Sequence, residues 1–142
     1  MILITCVDDK NGMMFNSRRQ SRDKIIIQNI CELAENEKIW ITEYSKSLFE
    51  PERENIVISN QDFFEAELDE YCFVENIAPS KIENDITKIV LYCWNKEYPA
   101  DLYFDLELED WILESEIEFE GSSHEKITRK IFKIAEDENG DN

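Results

Sequence analysis

The sequence has one histidine, His124, and four cysteines that lie far apart, with no Cys-x-x-Cys pair. Structural zinc sites gather four Cys and His ligands at short spacings, so we expect neither a metal site of this kind nor bound zinc. Each cysteine sits inside an apolar run and is expected to be a buried free thiol. These cysteines are Cys6, Cys31, Cys72 and Cys93.

Basic residues are also scarce, since 15 Lys and Arg stand against 33 Asp and Glu and the net charge is −18. Nucleic-acid affinity comes largely from neutralising phosphates with Lys and Arg, so direct nucleic-acid binding is not expected. No apolar run approaches the roughly 18 residues of a membrane span. The apolar start, MILITCV, is too short for a signal peptide and is followed by two aspartates. We therefore expect a cytoplasmic protein.

The sequence does contain enough apolar residues, 42% of 142, to build one folded domain. The run MILITCV is typical of a central strand buried on both faces. Apolar residues from Ile26 onward recur at three- and four-residue steps and predict a core-facing helix through Glu35. Two starts for this helix stay open, a capping box of Ser17 with Gln20 and a later N-cap at Ser21.

Short runs rich in β-branched and aromatic residues predict further strands at KIWIT, NIVIS, EYCFVE and KIVLYCW. The intervening segments SKSLFE and NQDFFEAEL are predicted to be short helical connectors. This interleaving favours a single α/β domain over residues 1–135, with a mixed, twisted sheet of about six to eight strands and helices packed on its faces. Residues 136–142 have no apolar anchor and are expected to form a frayed acidic tail.

Alternating apolar and acidic residues predict antiparallel strands toward the C-terminus. Residues 101–108, DLYFDLEL, place apolar side chains on one side and polar ones on the other. Residues 110–120 repeat the arrangement, with Trp111 and Phe119 on the apolar side. One face of the sheet is therefore predicted to be acidic and solvated.

The residues after this segment allow two structures. Gly121 ends the strand, and Ser122 with Glu125 fits a capping box, so a terminal helix is predicted over residues 126–134. A hairpin strand remains the alternative, because the isoleucines of KITRKIFKI also fit a period of two.

Positive charge is concentrated near the N-terminus. Residues 1–30 hold five basic and three acidic residues, a net charge of +2, which leaves −20 on the other 112 residues. Arg18, Arg19 and Arg22 fall in the loop after the first strand, where ligands of open α/β sheets bind. Because helix-start N–H groups and guanidinium forks hold phosphate or carboxylate, we expect an anionic metabolite or partner here. Alternatively, Arg19 pairs with Asp23 and the other two are surface charge.

Two further groups carry candidate chemistry. Asp8 and Asp9 follow the first strand and offer a Mg²⁺ site or an acid–base pair, or belong to an ordinary turn in DDKNG. Ser122, Ser123 and His124 in GSSHEK form a second possible anion cradle at a helix start. Ser123 lacks the Gly-x-Ser-x-Gly context, so a Ser-His catalytic pair is not expected.

Three classes of function stay open at this point. The first is a small protein that binds an anionic molecule through its basic loop. The second is an enzyme, which would be either reductase-like or Mg²⁺-dependent. The third is an interaction protein whose acidic face, residues 101–120, mimics nucleic acid and occupies a partner's basic groove.

Four segments, CVDDKNGMMFNSRRQSRD, EYCFVE, YPADLYFD and FEGSSHEKIT, resemble parts of a small uncharacterised family from Gram-positive anaerobic bacteria. Together they span nearly the whole chain, and the resemblance implies a bacterial protein. Some members of that family carry the label ribonuclease Z, which implies a metallo-β-lactamase fold with a His-x-His-x-Asp-His metal motif. A chain with one histidine cannot supply that motif, so the resemblance implies no particular chemistry.

The order of elements also resembles that of dihydrofolate reductase. MILITCVDDKNGMMFN, followed by a helix with Asp23 near its start, is similar to that fold's first strand, mobile loop and substrate-binding acid. KIVLYCWN is similar to the strand that precedes the glycine-rich phosphate loop of reductases, but Cys93, Trp94 and Asn95 stand in place of the glycines. Their side chains would keep a dinucleotide phosphate from the backbone, so we expect no NADPH.

Overall fold

The computed structural model describes residues 1–49, 53–59 and 65–135, and the structural statements below concern those residues. They contain one α-helix, α1 (Lys24–Ala34), and two 3-10 segments, Glu43–Phe49 and Pro79–Asp85. The strands, in chain order, are β1 (Ile2–Val7), β2 (Gly12–Phe15), β3 (Arg18–Arg19), β4 (Ile39–Thr42), β5 (Ile56–Ser59), β6 (Tyr71–Phe73), β7 (Lys88–Cys93), β8 (Leu102–Tyr103), β9 (Trp111–Phe119) and β10 (Ile127–Ile134).

The main layer is a mixed seven-stranded sheet in the order β5-β4-β6-β1-β7-β10-β9. The first five strands in that order run parallel, and β10 pairs antiparallel with both β7 and β9. A small second sheet, in the order β3-β2-β8, lies beside it. The predicted single-domain α/β fold, the strand number and the antiparallel C-terminal strands are confirmed.

Apolar clusters cover both faces of the main sheet. On one face α1 buries Ile26, Ile30 and Ala34, four residues apart, in a cluster that includes Ile4 of β1. Each isoleucine removed from water contributes roughly 1.5–3 kcal/mol, so this stripe fixes the helix to the sheet. The other face carries no α-helix in the described part of the chain. Residues of β2 and of the segment after β8 cover it instead, including Met13, Met14, Phe104 and Leu106.

The C-terminal segment is a strand, and the predicted terminal helix is wrong. β10 lies between β7 and β9, so its backbone is hydrogen-bonded on both sides. Ile127 and Ile131 face the α1 side, while Phe132 packs on the opposite face. Ladder pairing on two edges outweighs the local capping signal, because burying this backbone as a strand satisfies its polar groups in the sheet.

The segment DLYFDLEL is a strand only at β8, residues 102–103. Of its later apolar residues, Phe104 and Leu106 are buried and Leu108 is half-buried, but they belong to an irregular segment without ladder pairing. In β9 a register shift opposite Ile131 and Phe132 places Trp111 on one side of the sheet and Phe119 on the other. The shift reverses the alternation, so the prediction that these two side chains share a side is also wrong.

All nine acidic residues of segment 101–120 are exposed, and two of them form ion pairs with neighbouring described lysines. Glu114 and Glu118 lie 3.2 and 2.9 Å from the ammonium groups of Lys88 and Lys126. Asp105 accepts a hydrogen bond from the backbone of Ser80 at 2.9 Å. The acidic surface of this segment therefore remains solvated, and neighbouring lysines balance part of its charge.

The start of α1 differs from both predicted starts. Asp23 is the N-cap, and its carboxylate accepts from the backbone N–H of Ile25 at 2.9 Å. Ser17 instead lies with Asn16 in the turn between β2 and β3, where both residues have positive φ, 61° and 51°. A two-residue turn of this hand suits a tight hairpin, so the loop after β1 continues as strand rather than as helix.

The predicted connector SKSLFE belongs, through Phe49, to the first 3-10 segment. The connector NQDFFEAEL lies mostly outside the described residues, as does the predicted tail 136–142. Within the described ranges, no helix is both long and apolar enough to cross a membrane.

Candidate functional site

The carboxyl ends of three adjacent parallel strands, β6, β1 and β7, meet at one edge of the sheet. From β1 the chain crosses to β4 and β5, returns to β6, and then passes to β7 on the other side of β1. A crevice at such a change of direction is where α/β sheets bind ligands. The loop of residues 8–23 and the start of α1 cover this edge, so a ligand bound there would meet their side chains.

The structure separates the three arginines of that loop. Arg18 and Arg19 lie in β3, and Arg22 directly precedes the N-cap Asp23. None of them is in the first turn of α1, which corrects the prediction of a basic helix start. Arg18 and Arg22 are exposed, whereas Arg19 turns inward.

Arg19 is bound inside the protein and is not free to hold a ligand. Its Nε and a terminal nitrogen donate to the two carboxylate oxygens of Glu75 at 2.8 and 3.0 Å. Its guanidinium lies 4.6 Å from the ring centre of Tyr44. Hydrogen bonding to Glu75 raises the pKa of Arg19. Pairing of Arg19 with Asp23, the alternative from the sequence, is therefore wrong, because the buried carboxylate of Glu75 takes its place.

Asp23 is an anchoring carboxylate with 4% of its surface exposed. It accepts from the backbone N–H groups of Ser122 and Ser123 at 2.8 and 2.9 Å, in addition to its bond to Ile25. Burial alone would raise the pKa of Asp23, but these three N–H donors and His124 hold it far below its usual range. The carboxylate is thus ionised and fully engaged within the protein.

Ser122, Ser123 and His124 do not form an anion cradle at a helix start. The segment after Gly121 is irregular, and its donors point at Asp23. A Cβ at Gly121 would collide with the Asp23 carboxylate, so only glycine allows this close approach. The carboxylate of Asp23 is the anion that these residues bind.

Asp8 forms an ordinary turn, which is one of the two roles predicted for it from the sequence. Its carboxylate accepts from the backbone N–H groups of Lys10, Gly12 and Tyr98 at 2.7–3.1 Å. Burial raises the pKa of Asp8, and these N–H donors lower it by more, so the net shift is downward. Asp9 is exposed. No group of three or more potential metal ligands occurs in the described part of the chain.

A groove with a volume of about 740 Å³ runs between α1 and the first 3-10 segment, beginning beside Arg22 at this edge. We call it the α1 groove. Its wall is partly apolar, with Ile27 and Leu48 half-buried. Arg22, Lys24 and Arg53 line it and are exposed, and none of them forms an ion pair with a described residue. Three exposed cations beside an apolar wall suit an anion that carries an apolar body.

Comparison of the structure with solved structures gives a long match to dihydrofolate reductase from Enterococcus faecalis, solved in complex with NADP(H) and RAB-propyl. The TM-score is 0.66, and the match covers 95% of this chain and 96% of that one. This chain has the dihydrofolate reductase fold. Sequence identity to the E. faecalis reductase is only 7%, so the likeness concerns architecture alone. No family model and no curated protein matches the sequence, and the resemblance to the small bacterial family stays a prediction.

Within the reductase fold, the resemblance placed a substrate-binding acid at Asp23. Asp23 does lie at the start of the first helix, but the loop of residues 121–124 surrounds its carboxylate. The turn after β7 likewise departs from a glycine-rich loop. Trp94 is 5% exposed and stacks on His124 at 4.6 Å, and Asn95, with φ 61°, bonds to Thr128.

Sequence reasoning missed two residues of this region, Glu75 and Arg53. Glu75 is the last residue of the strand-like run EYCFVE, where a charged residue usually marks only the end of a strand. Arg53 lies in the charged stretch EPERE, which shows no periodicity. Glu75 follows β6 at the carboxyl edge of the sheet, whereas Arg53 precedes β5 and lines the same groove as Cys31 in the second half of α1. Only the tertiary structure contains that information.

The four thiols are free, with Cys31 and Cys72 buried and Cys6 and Cys93 half-buried. Burial raises the pKa of each thiol, that of Cys72 to about 12. They are therefore poor nucleophiles and serve as packing groups.

Proposed function

We propose that this protein binds an anionic small molecule in the α1 groove. The observation that carries the proposal is the convergence of Arg22, Lys24 and Arg53, from two separate segments, on one cavity of a chain with net charge −18. Against such a background, exposed cations on a concave surface attract and hold an anion. Guanidinium groups bind carboxylate or phosphate in a planar, two-point geometry.

The apolar wall narrows the class of ligand. Ile27, Leu48 and the buried Phe49 line the same groove as the cations. A ligand with a flat apolar body and one or two acidic groups would cover these side chains while its charge meets the arginines. The groove thus replaces the loop of Arg18, Arg19 and Arg22 as the expected site, and only Arg22 belongs to both.

The reductase-like alternative receives less support. The structurally similar E. faecalis enzyme was solved with NADP(H), but here Trp94 and Asn95 occupy the turn after β7, and the stacked indole fills space beside His124. Residues of this size do not fit a phosphate that must approach the backbone, so we propose that the chain binds no dinucleotide.

Thermal unfolding in a phosphate series tests the proposal, with chloride at matched ionic strength as the control for screening. At a hundredfold excess over the dissociation constant, a bound ligand raises the free energy of unfolding by about 2.7 kcal/mol. We expect wild type to gain stability with phosphate beyond chloride, and Arg22→Ala/Arg53→Ala to lose that gain. At equal concentration, 1-naphthoate should stabilise more than acetate, because its rings cover Ile27 and Leu48.

Lys10→Ala/Lys126→Ala provides the matched control, since it removes two exposed cations that lie outside the groove. This variant should keep the full phosphate effect. Identical phosphate and chloride curves for wild type would contradict the proposal. So would a phosphate effect that survives in Arg22→Ala/Arg53→Ala.

A further inference from the structure

His124, the one histidine of the chain, is buried with 5% exposure, and both of its ring nitrogens have partners. Nδ1 lies 2.9 Å from Ser123 Oγ and 3.3 Å from a carboxylate oxygen of Asp23. Nε2 lies 2.9 Å from the hydroxyl of Tyr98. The ring stacks on Trp94, so its orientation is fixed from the side as well.

The hydrogen bonds around Ser123 determine which ring nitrogen carries the proton. Ser123 Oγ lies 2.6 Å from the carbonyl oxygen of Arg22 and 3.1 Å from a carboxylate oxygen of Asp23. Both oxygens can only accept, so the single hydroxyl proton of Ser123 is donated to one of them. Ser123 Oγ must then accept from His124, as the ionised Asp23 does. Nδ1 therefore bears the hydrogen. In the neutral ring Nε2 has a free lone pair, and Tyr98 donates its O–H to it.

This arrangement has the roles of a nucleophile, a base and an orienting acid. Asp23 holds the Nδ1–H of His124, and Nε2 faces the hydroxyl proton of Tyr98. Ser123, the neighbour of His124 in sequence, contacts Nδ1, which carries the ring hydrogen and cannot act as a base. The hydroxyl proton of Ser123 is also already donated to another acceptor. Tyr98 is thus the hydroxyl that the histidine can deprotonate.

Tyr98 also borders a cavity of its own. It is half-buried and lines a surface cavity of about 570 Å³ together with Arg18 and Gln20. This cavity shares no lining residue with the α1 groove. Arg18 is exposed there and forms no ion pair among the described residues, so it can pair with an anionic group next to the tyrosine.

We propose that Tyr98 is a nucleophile toward phosphate esters, with His124 as its base and Asp23 as the positioning residue. The Tyr98 oxygen forms a bond to phosphorus while its proton passes to His124 Nε2. The ester oxygen leaves with the electron pair of the broken P–O bond and takes that proton, which yields an alcohol and phosphotyrosine. Water then attacks phosphorus, His124 accepts its proton and returns it to the departing Tyr98 oxygen, and inorganic phosphate is released.

An aryl sulfonyl fluoride tests the nucleophile directly, because its tetrahedral sulfur stands in for phosphorus. The Tyr98 oxygen bonds to sulfur, fluoride leaves, and the proton passes through His124 to solvent. Tyr103 is the internal control, since it is 46% exposed and its hydroxyl donates to the carbonyl of Ala100 rather than to a base. Peptide mapping by mass spectrometry should show Tyr98 modified at least about tenfold faster than Tyr103 in wild type.

Three variants separate the roles. His124→Gln should bring the Tyr98 rate down to that of Tyr103, and Tyr98→Phe should abolish p-nitrophenyl phosphate hydrolysis while leaving the fold intact. Arg18→Ala should slow a carboxylate-bearing sulfonyl fluoride but not a neutral one. Because the wild-type comparison of Tyr98 with Tyr103 needs no variant, it remains decisive even where a variant fails to fold.

Equal modification of the two tyrosines in wild type would overturn the proposal. An unchanged Tyr98 rate in a folded His124→Gln variant would overturn it too, as would hydrolysis that persists in Tyr98→Phe. These outcomes are independent of the α1 groove, whose own test depends on Arg22 and Arg53.

Discussion

Replacement of Asp23 by alanine should be among the most destabilising single changes in this chain. The carboxylate caps α1 at Ile25 and holds the backbone N–H groups of Ser122 and Ser123, which follow β9 by only a few residues. It thereby ties the first helix to a loop 99 residues further along the chain. No other described carboxylate joins those two segments.

The magnitude follows from the groups left without partners. Loss of an N-cap costs about 1 kcal/mol. The N–H groups of Ser122 and Ser123 each lose a charge-assisted bond worth roughly 1.5–3 kcal/mol. These contributions place the loss in the free energy of unfolding at about 4–7 kcal/mol for Asp23→Ala. Water that enters the vacated space would shift the result toward the lower value.

Urea unfolding followed by tryptophan fluorescence measures this loss, since Trp94 stacks on His124 next to the site. Asp9→Ala is the control, because Asp9 is an exposed carboxylate, and it should change the unfolding free energy by at most about 0.5 kcal/mol. A loss below about 1.5 kcal/mol for Asp23→Ala would show that the carboxylate does not hold the two segments together.

Three other outcomes are expected. Gly121→Ala should destabilise the protein by about 1–3 kcal/mol in the same urea assay, because its Cβ meets the Asp23 carboxylate; a neutral effect would refute that close approach. The pKa values of Asp8 and Asp23 are lowered on folding, so the stability that they contribute is complete above about pH 5 and is lost progressively at lower pH. A urea midpoint that stays constant when the pH is lowered from 5 to 2.5 would contradict this expected loss of stability. Titration with NADPH should leave the tryptophan fluorescence unchanged, and saturable quenching at micromolar concentration would revive dinucleotide binding.

Several elements were predictable from sequence because local pattern and tertiary environment agree. MILITCV and KIVLYCW are apolar on both faces and lie as neighbours in the centre of the sheet, with β1 paired to β7 over six residues. The stripe that contains Ile26 and Ile30 faces the sheet as its spacing indicates. In both cases hydrophobic periodicity determines the element, since burial of apolar surface makes the largest favourable contribution to folding.

The ends of elements and the C-terminal strand depended on contacts that sequence does not contain. KITRKIFKI is compatible with helix and with strand, and it becomes a strand because β7 and β9 offer two edges to pair with. Asp23 is the N-cap in place of Ser17 or Ser21 because Ser122 and Ser123 arrive from the far end of the chain to complete its hydrogen bonds.

For the arginines of the candidate site, the sequence likewise determined one part of the arrangement and the tertiary structure the other. Their clustering in sequence identified the loop after β1, and the chain order placed that loop at the carboxyl edge of the sheet. Which arginine stays exposed and which is buried was decided by tertiary structure alone. Glu75 draws Arg19 inside and leaves Arg22 in the α1 groove with Arg53. Charge composition is additive along the chain, whereas the pairing of charges depends on distances that only the fold sets.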